Sequence, residues 1–254
     1  MDYDSFLARM VDLKRVGFVE SHRVGDTGIG KTLEDLLGIT ENNIAGPDFA
    51  TYELKSARRD SSSMLTLFTK APMPKGANHE LLDAFGYRQR KKISHVAQGH
   101  ISAYLGLSKI QESDIPIEEK ELHVTVDSLK LNSVGLKLEV KGNTIYISNL
   151  RGIEAYYEEN YLREAFEKKY RHDLVYVLAN NRKEGRKEYF HFNEAQLLSG
   201  FSFERFSEAV RIGTVKLDIR IGHYPNGKLH DHGTGFRVFP ISLPLCFARI
   251  KKIL

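Results

Sequence analysis

The chain has 254 residues, 41% hydrophobic and 28% charged, enough apolar material to bury a substantial core in one large or two small domains. A formal charge of +4 and a pI near 8.9 make it mildly basic, which suits a polyanionic partner but falls far short of a nonspecific nucleic-acid-binding tail. The single cysteine, Cys246, excludes an internal disulfide; Met1-Asp2-Tyr3-Asp4 lacks the basic start of a signal peptide, and no apolar run reaches the ~20 residues of a membrane helix, so a cytoplasmic protein with no membrane role is expected.

Phe6, Leu7, Met10 and Leu13 recur at helical spacing and predict a helix over residues 5–15. A glycine-rich turn through Gly25, Gly28 and Gly30 follows. Next comes a short helix capped by Thr32, buried through Leu33, Leu36 and Leu37 and ended by Gly38, with Glu34 on its flank. The stretch Gly25-Asp26-Thr27-Gly28-Ile29-Gly30-Lys31-Thr32 also fits the nucleotide-binding pattern G-x-x-x-x-G-K-T. Its context argues otherwise. A phosphate-binding loop leaves a buried hydrophobic strand, yet Glu20-Ser21-His22-Arg23-Val24 are largely polar, and the apolar run 174–179 ends in Asn180 and Asn181 rather than an acid. Lys31 at the helix start remains a candidate phosphate contact.

Residues 46–55, Gly46-Pro47-Asp48-Phe49-Ala50-Thr51-Tyr52-Glu53-Leu54-Lys55, hold two carboxylates and a lysine. Metal-assisted phosphodiester cleavage needs such a set: carboxylate oxygens hold a hard divalent cation, and an ammonium orients water and screens the phosphate. Glu53 and Lys55 are two apart and share a strand face. Asp48 has the opposite parity, and on a straight strand it would sit ~16 Å from Glu53, too far to share one ion. The backbone must therefore bend within Phe49-Ala50-Thr51-Tyr52. Taken alone, the segment also reads as a strand with an exposed Glu and Lys pair.

Residues 64–68 predict a second strand, 72–78 a loop and 80–87 a helix. Residues 122–126, 134–140 and 144–147 read as a β meander, with Lys141-Gly142-Asn143 as a tight connection. A long helix is expected over 153–170, strands over 174–178 and 189–192, and a helix over 203–210. The run Arg88-Gln89-Arg90-Lys91-Lys92, the tail residues Arg249, Lys251 and Lys252, and Lys70 and His79 beside the 72–78 loop are candidate phosphate contacts or solvated surface.

Val215-Lys216-Leu217-Asp218-Ile219-Arg220-Ile221 alternates apolar and charged residues, and Pro225-Asn226-Gly227-Lys228 supplies a hairpin turn into His230-Asp231-His232-Gly233-Thr234-Gly235-Phe236-Arg237. With Asn226 and Gly227 central, Arg220 faces Gly233, Asp218 faces Gly235, and Lys216 faces Arg237. Three chemistries fit: a metal site at His230 and His232, which needs further ligands; an Asp and His hydrogen-bond network; or base reading. In the third, Arg donates to guanine and Asp accepts from cytosine, with a two-stranded ribbon in the major groove.

Taken together these blocks resemble the MvaI/BcnI family of type II restriction endonucleases, in the PD-(D/E)xK superfamily and related to the MutH mismatch-repair nicking enzyme. The resemblance rests on Gly28 through Gly38, Pro47-Asp48 with Glu53-Leu54-Lys55, Leu65-Thr66-Leu67-Phe68-Thr69, and Asp218-x-Arg220 with residues 230–237. It implies an α/β (α+β) fold, a restriction-endonuclease-like mixed sheet with flanking helices and two lobes around a DNA cleft. The catalytic lobe is expected over 1–120 and the recognition lobe over 121–254, with a soft boundary and shared segments. It further implies Mg²⁺-dependent hydrolysis of double-stranded DNA, Mn²⁺ substituting, with Asp48, Glu53, Lys55 and a supporting Glu34 in the catalytic centre. Asp48, Glu53 and the Leu54 backbone carbonyl would bind metal. DNA contacts would come from Asp218, Arg220, His230, Asp231, His232, Thr234, Arg237, Lys31, Lys70 and His79. Relatives of this kind read short C·G-rich sites such as CCNGG, often as monomers, alongside a cognate methyltransferase in a prokaryotic host. The alternatives are a MutH-like repair nickase and, less favoured, a P-loop nucleotide hydrolase.

Overall fold

A computed structural model of the chain describes residues 1–39, 49, 51–91, 117–223, 228–231 and 233–254. In chain order the elements are α1 (Tyr3–Val16), β1 (Val19–Glu20), α2 (Gly28–Leu37), β2 (Glu53–Arg58), β3 (Leu65–Thr69), α3 (Ala77–Phe85), β4 (Tyr87–Lys91), β5 (Ile117–Val126), β6 (Leu136–Lys141), β7 (Thr144–Asn149) and β8 (Tyr156–Tyr157). They continue with α4 (Glu159–Lys169), β9 (Leu174–Glu184), β10 (Lys187–Ser199), α5 (Phe203–Arg211), β11 (Val215–His223), β12 (Leu229–Asp231), β13 (Gly235–Val238), a 3₁₀ turn (Pro240–Cys246) and β14 (Arg249–Lys252).

The chain divides into two compact units. One comprises Met1–Phe68, Glu159–Lys216 and Arg237–Leu254; the other comprises Thr69–Glu158 and Leu217–Phe236. A cut at residue 120 does not match this division, because strand partners lie far apart in sequence: β2 pairs with β9, and β5 with β11.

In the first unit the strand order is β1-β10-β9-β2, with β14 added to β10. Only β2 and β9 run parallel, which makes the sheet mixed. The run Leu174-Val175-Tyr176-Val177 is fully buried, as a central strand covered on both faces requires. Phe6 and Met10 of α1 and Ile29, Leu33 and Leu37 of α2 pack with Val175, Val177, Phe190 and Phe192 into one core, and Leu54 lies against it. Phe166 of α4 packs edge-on against Phe201 and Phe203, with Phe68 and Phe206 beside it.

In the second unit β5 pairs antiparallel with β4 and β11, and β12 adds to β11. The strands β6, β7 and β8 form a separate small sheet. The expected meander is thereby corrected, since β5 turns to distant β11 rather than to β6. The helix expected over 153–170 is also shorter. Tyr156 and Tyr157 pair with Tyr146 and Ile145, and the buried Tyr157 hydroxyl donates to the Lys70 carbonyl at 3.0 Å, so the ladder overrides helical periodicity and α4 starts at Glu159. The helix expected over 80–87 covers Ala77–Phe85 instead, and Gly86 passes the chain into β4.

Candidate functional site

Between Phe49 and Tyr52 the chain reverses: the Phe49 N–H donates to the Tyr52 carbonyl at 3.3 Å and the Tyr52 N–H to the Phe49 carbonyl at 2.8 Å. Buried Phe49 anchors this reversal by stacking on Phe6, with ring centroids 4.6 Å apart. It is the bend that the spacing of Asp48 and Glu53 demands. Asp48 itself lies outside the described residues, as does His232.

Glu53 opens β2 opposite Leu174, and its N–H donates to the Asp173 carbonyl at 3.1 Å. Parallel-strand parity then turns the backbone groups of Glu53 and Lys55 toward β9 and the Leu54 carbonyl away from it. The Glu53 and Lys55 side chains share one face and Leu54 takes the other, toward α1 and α2. Lys55 Nζ lies 4.0 Å from Glu53 Oε1, and their side chains are 18% and 12% exposed. A third charged group meets them: Lys169, the last residue of α4, places Nζ 2.7 Å from the same oxygen.

Sequence reasoning missed Lys169. The available signal was the pair Lys168-Lys169 just upstream of the strand that Glu53 joins, which becomes informative only once the β2 and β9 pairing is known. Just beyond Lys169, buried Tyr170 donates its hydroxyl to the Leu67 carbonyl. Burial, and secondarily the negative charge of Glu53, push its phenol well above the ordinary range.

Glu34 is half-buried on α2, the helix on the Leu54 side of β2. Among the described residues no group of three or more His, Cys, Asp or Glu side chains converges as a metal cage. What is present fits a hard divalent cation in part: a semi-buried carboxylate that meets two ammonium groups, next to a main-chain carbonyl directed off the β2 ladder.

The glycine-rich segment does not have the geometry of a nucleotide phosphate loop. The α2 helix starts at Gly28, so Thr32 is not its cap; the Thr32 hydroxyl donates to the Gly28 carbonyl at 2.7 Å and accepts the His22 N–H at 2.9 Å. The Gly25 and Asp26 carbonyls accept from the Arg58 guanidinium, whereas a phosphate cradle needs inward N–H groups. Lys31 is 2.8 Å from Asp35, which also meets His22 at 2.9 Å, and these bonds hold the Asp35 carboxyl below its ordinary value.

At the C-terminal hairpin the register differs by one residue from expectation. Ile221 faces Asp231, Gly222 faces His230, and His223 faces Leu229, so the connection is longer than a two-residue Asn-Gly turn. This shift puts His230, not Asp231, on the face of Asp218 and Arg220. Gly222 makes room for it, since a methyl there would lie 3.0 Å from His230 Nε2.

Across the strand, β5 sets Thr125 opposite Asp218 and His123 opposite Arg220. The Thr125 hydroxyl donates to Asp218 Oδ1 at 3.0 Å and Arg220 Nε to Oδ2 at 2.7 Å. These four residues and Val124 line an open cavity of about 620 Å³. Below it, Glu121 is buried with Oε2 3.8 Å from His123 Nδ1. Thr125, His123 and Glu121 escaped sequence reasoning because their strand partner is distant in the chain.

The other predicted contacts scatter. Asp231 accepts from Asn78 Nδ2 at 2.9 Å and from the Gly233 N–H at 2.7 Å, while buried Thr234 accepts the same Asn78 amide at 2.9 Å. These bonds hold the end of the hairpin in place. His79 packs edge-on to His223 and lies 3.5 Å from Asp83. The Lys70 N–H donates to the Thr234 carbonyl, and Arg237 is half-buried on β13.

Compared with known proteins, residues 7–247 match the family model of the MvaI/BcnI restriction endonuclease family. Solved structures resemble the chain as well, among them two of restriction endonuclease MvaI. One is described as a restriction endonuclease MvaI–cognate DNA substrate complex, with 27% identity, a TM-score of 0.73 and 100% of both chains covered. The other is restriction endonuclease MvaI in the absence of DNA, with 27% identity, a TM-score of 0.55, and 100% of this chain and 99% of that chain covered. No curated protein sequence matches.

Proposed function

We propose, from the premise that the chain belongs to the MvaI/BcnI restriction endonuclease family, that this site-specific endonuclease hydrolyses duplex DNA in a Mg²⁺-dependent reaction at a short C·G-rich site of CCNGG type. Asp48, Glu53 and the Leu54 carbonyl hold the cation, Mn²⁺ substituting, and Lys55 completes the centre with Glu34 in support. A divalent cation bound there lowers the pKa of a water and neutralises charge developing on the phosphorane. Glu53 supplies an oxygen already fixed by the β2 ladder, and the Lys55 ammonium on the same face orients the attacking water and screens the scissile phosphate. The observation that supports this most is the reversal at Phe49 and Tyr52, which reconciles the spacing of Asp48 and Glu53 with one shared ion.

Sequence reading falls to the face of Asp218, Arg220 and His230, with Asp231, His232, Thr234 and Arg237 as further DNA contacts and Lys31, Lys70 and His79 on phosphates. The enzyme acts as a monomer in a prokaryotic cytoplasm beside a cognate methyltransferase. Among the described residues no helix is long and apolar enough to cross a membrane.

The test is digestion of a long phage DNA with Mg²⁺, followed by sequencing of the fragment ends. Ends sharing one C·G-rich motif are expected. Asp48→Ala and Lys55→Ala should abolish cleavage while DNA binding persists, and undiminished cleavage by Lys55→Ala would refute the centre. Single-strand nicks that depend on added partner proteins would favour the repair-nickase reading instead.

A further inference from the structure

We infer that Lys169 is a positioning residue of the nuclease centre: its ammonium competes with the divalent cation for Glu53 and thereby sets the metal concentration the enzyme needs. The inference rests on the reading of Glu53 as a metal ligand. Glu53 Oε1 meets two ammonium groups, Lys169 at 2.7 Å and Lys55 at 4.0 Å, so the closer and stronger pairing belongs to the residue outside the Glu-x-Lys motif. The two lysines differ in freedom. The Lys55 side chain is 18% exposed, whereas that of Lys169 is 45% exposed and has more room to swing into solvent.

The attachment point of Lys169 is nonetheless fixed. The Tyr170 N–H closes the last turn of α4 on the Phe166 carbonyl at 2.8 Å, and the Tyr170 ring is locked between Phe166 and Phe201. Its place at the C-terminal end of α4 also favours a cation, because unpaired carbonyls concentrate negative potential there. At Glu53 Oε1 itself an arriving cation meets two ammonium groups, the nearer of them Lys169. A divalent ion binding Oε1 competes with these ammonium groups, first of all with Lys169, which is the closer and the more exposed of the two.

The experiment measures Mn²⁺ binding to the DNA-free full chain by electron paramagnetic resonance or calorimetry, which is independent of turnover. Removing the competitor in Lys169→Met, with Lys169→Gln as a second variant, should tighten Mn²⁺ binding about threefold or more, the scale of a part-exposed ion pair. Lys169→Arg keeps a competing cation and should restore the original affinity. The Mg²⁺ concentration for half-maximal cleavage should fall in parallel in the Met and Gln variants. Unchanged or weaker Mn²⁺ affinity in both overturns the inference. Glu53→Gln separates the two levels of the argument. If it binds Mn²⁺ as well as the parent, the reading of Glu53 as a ligand fails; if it loses binding while the Lys169 variants are unchanged, only the role of Lys169 fails.

Discussion

Asp218 is a carboxylate only 5% exposed, and its two oxygens are divided between a hydroxyl and a guanidinium. Both oxygens of this buried group are hydrogen-bonded, and the bond from Nε fixes the plane of Arg220. Thr125→Val removes one hold without stranding the other. On the proposed base-reading role it should cost ~1–3 kcal/mol of discrimination between the cleaved site and a singly substituted one, while nonspecific binding is retained. Competition binding measures this; an equal loss across all sequences would make the face a phosphate contact only. Asp218 and Arg220 were legible in the sequence because residues two apart on a strand share a face. Thr125, His123 and Lys169 were not, because each arrives through a pairing between segments far apart in the chain.

At the scale of elements, Arg58 at the end of β2 makes a bidentate pair with Glu188 of β10, at 2.7 and 2.6 Å, and also holds the Gly25 and Asp26 carbonyls ahead of α2. The pair is 16% and 13% exposed, so Glu188→Gln should lower stability by ~3 kcal/mol at neutral pH, the scale for breaking a semi-buried pair. Arg58 holds the Glu188 carboxyl below its ordinary 4.5. The sign follows: a depressed carboxylate contributes its full stability above about pH 4.5 and loses it as pH falls through the folded value. Urea unfolding of parent and variant should thus differ clearly at pH 7 and much less near pH 3, and an equal difference at both would rule this out. The short helix ended by Gly38 was readable from local chemistry, and Gly38 does adopt the left-handed conformation, φ +71°. The helix expected over 153–170 was misread because its first residues spend their hydrogen bonds on the β7 ladder, and the hairpin register slipped because its connection is longer than the Asn-Gly signal implies.

At the scale of the whole molecule, the second unit is assembled from residues 69–158 and 217–236, so it is not an insertion that closes on itself. The central strand β5 finds its partner β11 only in the later segment. A fragment spanning 69–158 should therefore lack a cooperative unfolding transition and show poor amide dispersion, whereas the full chain shows both; a well-folded fragment would contradict this. No local composition shift marks such a division, which is why a boundary near residue 120 looked natural in the sequence. The strand carrying Glu53 and Lys55 has a further consequence for the molecule among its neighbours. Among the described residues β2 pairs only with β9, so it stands last in the strand order of its sheet, the position at which strand-on-strand association between chains can start. Glu53, Lys55 and Arg58 give that strand charge, the usual deterrent to strand-on-strand aggregation. Substitutions that silence the chemistry here also lower a colloidal barrier, so an inactive Lys55→Ala preparation must be shown to be monodisperse before its inactivity is assigned to lost catalysis.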